Sequence, residues 1–270
     1  MSAGARIASF GALLVAIFAL AALAGRALDP ASEAAESTGG HHRQSAPAAA
    51  GGELRLVAQS PTTLSPGHRG RLSFRIADAG GATVRDFETE QARRMHLIVV
   101  RRDLRRFQHL HPVQDARGAW STPLTLPEAG VYHAFADFRT GGARRTLGVD
   151  LFAGGRFEPR PLPTAAATAR VDGYDVQLED EHGAGDHPEL RFTVSRDGTR
   201  VADLQPYLGA RGHLVMLRAG DLAYEHVHPL GEDALAFATE DAAPGRYRLF
   251  LQFRHGNRVH TAAFTHAVGP

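Results

Sequence analysis

The stretch HLIVVRRDLRRFQHLHP, residues 96–112, returns as HLVMLRAGDLAYEHVHP, residues 213–229. Adding 117 to each number of the first copy gives the second without a gap. His96 thus falls on His213, His109 on His226, His111 on His228 and Pro112 on Pro229. Each copy is an apolar run, a short polar centre and a second run that ends at a proline. Two strand-like runs about a tight centre are a β-hairpin, and a hairpin recurring at fixed spacing marks a duplicated module. In the second copy Gly220-Asp221 supplies a two-residue loop. That loop pairs Leu217 with Tyr224, Val215 with His226 and His213 with His228, and the first copy takes the same register about Asp103-Leu104.

Working outward, the alternation continues in short runs separated by Gly and Pro. Candidate strands in the first half are 53–58, 71–77, 95–101, 106–111, 119–126, 130–139 and 144–153. In the second they are 171–178, 189–196, 212–218, 222–228, 234–239, 245–254 and 258–268. Correspondence extends past the hairpins: Leu72 to Ile76 resembles Leu190 to Val194, and Gly130-Val131-Tyr132 resembles Gly245-Arg246-Tyr247. A tyrosine after a Pro/Gly corner is a feature of immunoglobulin-like sandwiches. The expected fold is all-β: two tandem Ig-like, Greek-key antiparallel β-sandwich modules, at 53–155 and 169–270, joined by a proline-rich linker at 156–168.

The N-terminus reads as a short positive head and an apolar helix, Ile7 to about Ala24, so residues 1–28 are a signal peptide or a membrane anchor. Residues 29–52 lack apolar periodicity and read as a flexible linker, with His41 and His42 inside it. Either N-terminal reading places the modules outside the cytoplasm, secreted or held at the cell membrane.

Composition excludes several chemistries. The formal net charge of +1 gives no reason for a nucleic-acid partner. No lysine occurs, which removes Schiff-base catalysis. With no cysteine there are no disulfides, iron–sulfur clusters, thiol nucleophiles or thiolate copper centres. Any metal must be held by nitrogen and oxygen ligands.

The hairpin register sends three histidines of each copy to one face at the open end: His96, His109 and His111, then His213, His226 and His228. Ile98, Val100, Phe107, Val215, Leu217 and Tyr224 share that face, so it is expected to be the buried one, with a triad at each core's rim, the two triads either separate or facing each other across the interface as one larger site. Partly buried imidazoles cannot all be charged together, and a divalent ion resolves this by taking neutral nitrogens. Three histidines with an open position suit zinc, and imidazole also suits copper. Asp86 and Asp203, at matching positions, are candidates for a fourth ligand or for a carboxylate that orients a ligand histidine. The alternative is structural, since a strand-end histidine can cap a core by bonding a backbone carbonyl. His133, His255, His260 and His266 read as surface residues, and Phe135 and Phe250 as a sheet cover or an inter-module contact.

The blocks MHLIVVRRDLRRFQHLHP and GHLVMLRAGDLAYEHVHP resemble those of exported, often membrane-tethered bacterial proteins built from tandem modules with H-x12-H-x-H-P blocks. The resemblance covers most of residues 53–268 and implies export, tandem sandwiches and metal binding, with no settled activity. At the level of fold the modules also resemble the Greek-key sandwiches of bacterial copper-handling proteins.

Two functions follow as expectations. The first is an extracytoplasmic protein holding copper or zinc at one triad per module, in buffering, delivery or resistance. The second is a non-catalytic envelope module that docks another protein, with structural histidines. No nucleophile elbow, phosphate loop or dinucleotide fingerprint supports an enzyme.

Overall fold

Strands start and stop where turn chemistry dictates. In a computed structural model that describes residues 53–181, 189–231, 234–239 and 242–269, four hairpins close on two-residue loops. Gly141-Gly142, Asp172-Gly173, Asp197-Gly198 and Gly256-Asn257 all carry positive φ at both positions. That backbone twist matches right-twisted strands, and glycine, aspartate and asparagine reach it at least cost. The N-terminal readings, residues 1–52 with His41 and His42, lie outside the described residues. No described helix is long and apolar enough to cross a membrane.

The first module has strands β1 (Arg55–Ala58), β2 (Thr63–Leu64), β3 (Arg69–Ala77), β4 (His96–Arg101), β5 (Gln108–Leu110), β6 (Val113–Gln114), β7 (Trp120–Thr125), β8 (Gly130–Thr140) and β9 (Ala143–Ala153). They form two sheets, β1-β3-β7-β6 and β2-β9-β8-β4-β5. The second has β10 (Thr168–Val171), β11 (Tyr174–Glu181), β12 (Glu189–Arg196), β13 (Thr199–Arg200), β14 (Gly212–Arg218), β15 (Tyr224–Glu225), β16 (Val227–Pro229), β17 (Ala236–Thr239), β18 (Gly245–His255) and β19 (Arg258–Val268). Its sheets run β10-β11-β12-β17-β16 and β15-β14-β18-β19. Pairing is antiparallel except where β2 lies parallel to β9. The expected all-β sandwich pair is thus present. The expected strand 171–178 is in fact two, because Asp172-Gly173 turns the chain.

Each module has its own core. Trp120, Phe74, Ile76, Leu97 and Val99 fill the first, and Phe253, Phe264, Leu214 and Met216 the second. The expected tyrosine corners are both formed: Tyr132 donates to the Glu128 carbonyl at 2.9 Å and Tyr247 to the Ala243 carbonyl at 2.6 Å.

A third apolar cluster joins the modules into one unit over Ala49–Pro270. Ile98 and Val100 of β4, Phe135 of β8, Val215 and Leu217 of β14 and Phe250 of β18 meet there, with Phe107 stacked on Phe250 at 4.1 Å. The histidine-bearing face is therefore buried, but not in a sandwich core as expected. Leu97, Val99, Leu214 and Met216 take the core side, and the face with the histidines packs on the other module. Each central strand is covered on both sides. Of the two uses expected for Phe135 and Phe250, the inter-module contact is the one formed.

Candidate metal centre

The β4–β5 ladder pairs Leu97 with Leu110, Ile98 with His109 and Val99 with Gln108, the expected register. It puts His109 beside His96 on the inter-module face, and His111 follows. In the second hairpin Met216 pairs with Glu225 and Leu217 with Tyr224, again in the expected register. The loops are wider than two residues: Arg218 N–H donates to the Ala223 carbonyl across Ala219–Leu222, with Leu222 in the left-handed region.

The two modules meet so that the imidazoles of His96, His109 and His213 present ligand nitrogens within 4.8 Å of one another. The rings of His96 and His213 stack 5.5 Å apart with 9° between planes. His111 lies 4.7 Å from His109 and 5.3 Å from His96, ring to ring. The four histidines form one cluster drawn from both modules.

Hydrogen bonds fix two of the tautomers. His96 Nε2 lies 3.1 Å from the Glu90 carbonyl, which can only accept, so Nε2 holds the proton and Nδ1 the lone pair. Gln252 accepts from His109 Nδ1 through Oε1 at 2.6 Å and donates through Nε2 to Thr261 Oγ1. The lone pair of His109 is then on Nε2. These two lone pairs, His96 Nδ1 and His109 Nε2, face each other at 3.0 Å. With both rings neutral, no proton lies between them. Buried beside them, His213 Nε2 and His111 Nε2 have no hydrogen-bond partner.

Protonation does not relieve this contact. Burial first, then the neighbouring imidazoles, push His109 down to about 3 and His111 down to about 4. Burial also lowers His96, and it sends His213 well below the ordinary histidine range. All four rings are held in the neutral form a metal requires. Two nitrogens bound to one ion at about 2.0–2.1 Å stand about 2.9 Å apart at a right angle and about 3.3 Å apart at the tetrahedral angle. The 3.0 Å separation falls between these values.

The other expected site residues lie elsewhere. The chain leaves the β14 sheet after Glu225 and joins the opposite sheet, where His228 pairs with Ala238. In the first module the ladder runs on to Leu110, so only there does the second histidine stay beside the first. His226 instead sits with Nε2 3.4 Å from Thr146 Oγ1 of the first module. Neither His226 nor His228 belongs to the ligand-sized group, so of the two expected arrangements the cluster is the shared one, drawn from His96, His109 and His213 rather than from two complete triads. Asp86 is an exposed loop residue whose backbone carbonyl accepts from Thr140. Asp203 is exposed and pairs with His255 at 3.2 Å. Neither backs the cluster. His260, expected at the surface, is buried and bonded to Asp172 at 2.8 Å. Met95 and Met216 are buried in the sandwich cores, so neither of these thioethers points at the imidazoles.

Residues 49–154 and 169–269 each match a protein family described as a domain of unknown function, DUF8832. The chain belongs to this family. No curated protein matches it. Among solved structures, an alpha-2-macroglobulin from Salmonella is 15% identical over 83% of the chain, with a TM-score of 0.30. Domains 4–9 of the surface layer protein SbsC are 12% identical over 79%, with a TM-score of 0.24. The chain spans 15% and 31% of those two structures. A two-domain fibronectin type-III segment of chicken tenascin is 9% identical over 80% of the chain and 99% of its own length, at a TM-score of 0.24.

Two residues of the site escaped the sequence reading, although the DUF8832 repeat carried a signal for them. Phe135-Ala136-Asp137-Phe138 matches Phe250-Leu251-Gln252-Phe253, a polar residue enclosed by aromatics in both copies. Asp137 lies opposite His96 and Gln252 opposite His213 in the neighbouring strands. Gln252 orients His109. Burial raises Asp137 to about 6 despite Arg144 nearby, and Thr146 bonds it at 3.3 Å.

Proposed function

We propose that this protein binds one copper or zinc ion per chain, held between its two modules by His96, His109 and His213 with His111 as a fourth ligand. The observation that carries the reading is the pair of lone pairs facing each other at 3.0 Å, each fixed by a hydrogen bond on the far side of its ring. Such back-bonding orients metal-ligating histidines generally. The absence of thiols, with both core methionines turned away, leaves an imidazole set suited to zinc or copper(II). Together with the export signal read at residues 1–28, this favours an extracytoplasmic role in metal buffering, delivery or resistance.

The competing reading, a structural seam in an envelope interaction module, draws on the position of the cluster inside the inter-module contact. Metal titration of the chelator-treated protein separates the two. The metal reading expects one equivalent of zinc or copper(II) to bind, lost in both His109→Ala and His213→Ala although these lie in different modules. At about a hundredfold over the Kd, the ion should add about 2.7 kcal/mol to the unfolding free energy. Absence of uptake, or a His213→Ala protein that binds normally, would sink the shared site and leave the seam.

A further inference from the structure

At the end of β4 remote from His96, a cleft of about 230 Å³ opens between the 102–107 loop, the linker and β18–β19. Five arginines line it: Arg101, Arg105, Arg106, Arg160 and Arg248. Its carboxylates are already committed. Asp103 holds Arg101 through both oxygens and also accepts the backbone N–H of Arg160. Glu128 is shared by Arg101 and Arg106. Among the described residues no carboxylate pairs with Arg105, Arg160 or Arg248.

Arg248 is the informative member. Its guanidinium donates to Thr265 Oγ1 at 3.1 Å, while its Nε is buried without a partner, as is that of Arg105. Burial and the Arg105 charge both push Arg248 down from the usual arginine range. Guanidinium groups gathered in this way destabilise one another unless an anion joins them.

The duplicated module shows what is missing. Arg248 pairs across the sheet with Thr265, and 115 positions earlier His133 pairs with Asp150. There the acid answers the base directly: Asp150 bonds His133 at 2.6 Å and Arg102 at 2.9 Å. The second module carries Arg248 in the place of His133 and replaces the acid with threonine.

We propose that this cleft is a binding site for a phosphate- or sulfate-type oxyanion, held by Arg248, Arg105 and Arg160 where the first module supplies its own carboxylate. Guanidinium forks match the paired oxygens of such an ion. Phe250 and Leu104, which also line the cleft, give it an apolar boundary that strengthens the attraction. The proposal is independent of the metal reading, since no ligand histidine lines the cleft.

Calorimetric titration of the chelator-treated full chain with inorganic phosphate, sulfate and chloride at one ionic strength tests it. Phosphate and sulfate should bind saturably, one per chain, and chloride should not. Arg248→Gln should weaken binding about tenfold or more. Thr265→Asp, which restores the carboxylate of the first module, should abolish binding and leave the chain at least as resistant to heat. Glycerol 3-phosphate serves as a second probe: tighter binding than inorganic phosphate assigns the site to a phosphomonoester, weaker binding to the free ion. Phosphate acting no better than chloride on the wild type, or a Thr265→Asp chain that binds phosphate as before, overturns the proposal.

Discussion

At the scale of single residues the site is controlled by what stands behind each imidazole. Gln252 is the clearest case, because its amide oxygen sets which nitrogen of His109 faces His96. Replacing it with leucine leaves a buried N–H unanswered, at a cost of about 1–3 kcal/mol. The same change should weaken metal affinity about 10- to 100-fold, read by competition with a chromophoric chelator. A Gln252→Glu variant keeps the acceptor and should retain most of the affinity. The histidines also set a pH dependence. Their folded-state values lie below 6.5, with His109 at about 3 and His111 at about 4, so between these limits the unfolded chain binds more protons. The histidine contribution to the stability of the metal-free protein is therefore complete above pH 6.5 and falls as pH drops through the window, by about 1.4 kcal/mol per pH unit for each such histidine. Asp137, raised to about 6, opposes it with one such contribution below pH 6. Urea midpoints at pH 7.5 and pH 5 check this, and an unchanged midpoint counts against neutral buried rings.

At the scale of elements, the runs HLIVV and HLVML carried more information than their alternation alone. A strand apolar at nearly every position is buried on both faces, as these are. Reading only one face as apolar led to the expectation of a histidine face inside a sandwich core. The register itself was legible, because chain length between two runs and a polar centre leave few pairings. The departure of the second hairpin into the opposite sheet after Glu225 was not legible, since it depends on which neighbour offers a free edge. Gly212, just before His213, tests how closely β14 must approach β18. A Cβ there would stand 2.8 Å from the Gln252 carbonyl oxygen, a backbone atom that cannot step aside. Gly212→Ala should cost about 1–3 kcal/mol and lower metal affinity by displacing both His213 and Gln252, measured by chemical unfolding and metal titration.

At the scale of the molecule, the two modules behave as one body because a continuous apolar contact lies between them. Phe250→Ala removes the ring stacked on Phe107 without touching a ligand histidine. It should cost about 3–5 kcal/mol and loosen the modules. Metal affinity should fall with it, and saturating metal should restore part of the lost stability, which denaturant titration with and without ion will show. A variant whose metal affinity stays at the wild-type value would mean that the cluster does not depend on the docking of the modules.

By itself the sequence determined the duplication, the all-β class, most strand positions, the register of the first histidine hairpin and that of the second as far as Glu225. These are consequences of short-range chemistry: side-chain period, turn residues and the direct overlay of two copies. Only the tertiary structure decided that His213 joins His96, His109 and His111, that Gln252 of one module orients His109 of the other, and that Asp86 and Asp203 stand apart. Within one chain the local pattern states which face is apolar but not what covers it. That choice is made by docking, where one buried face meets whichever complementary face the linker lets it reach.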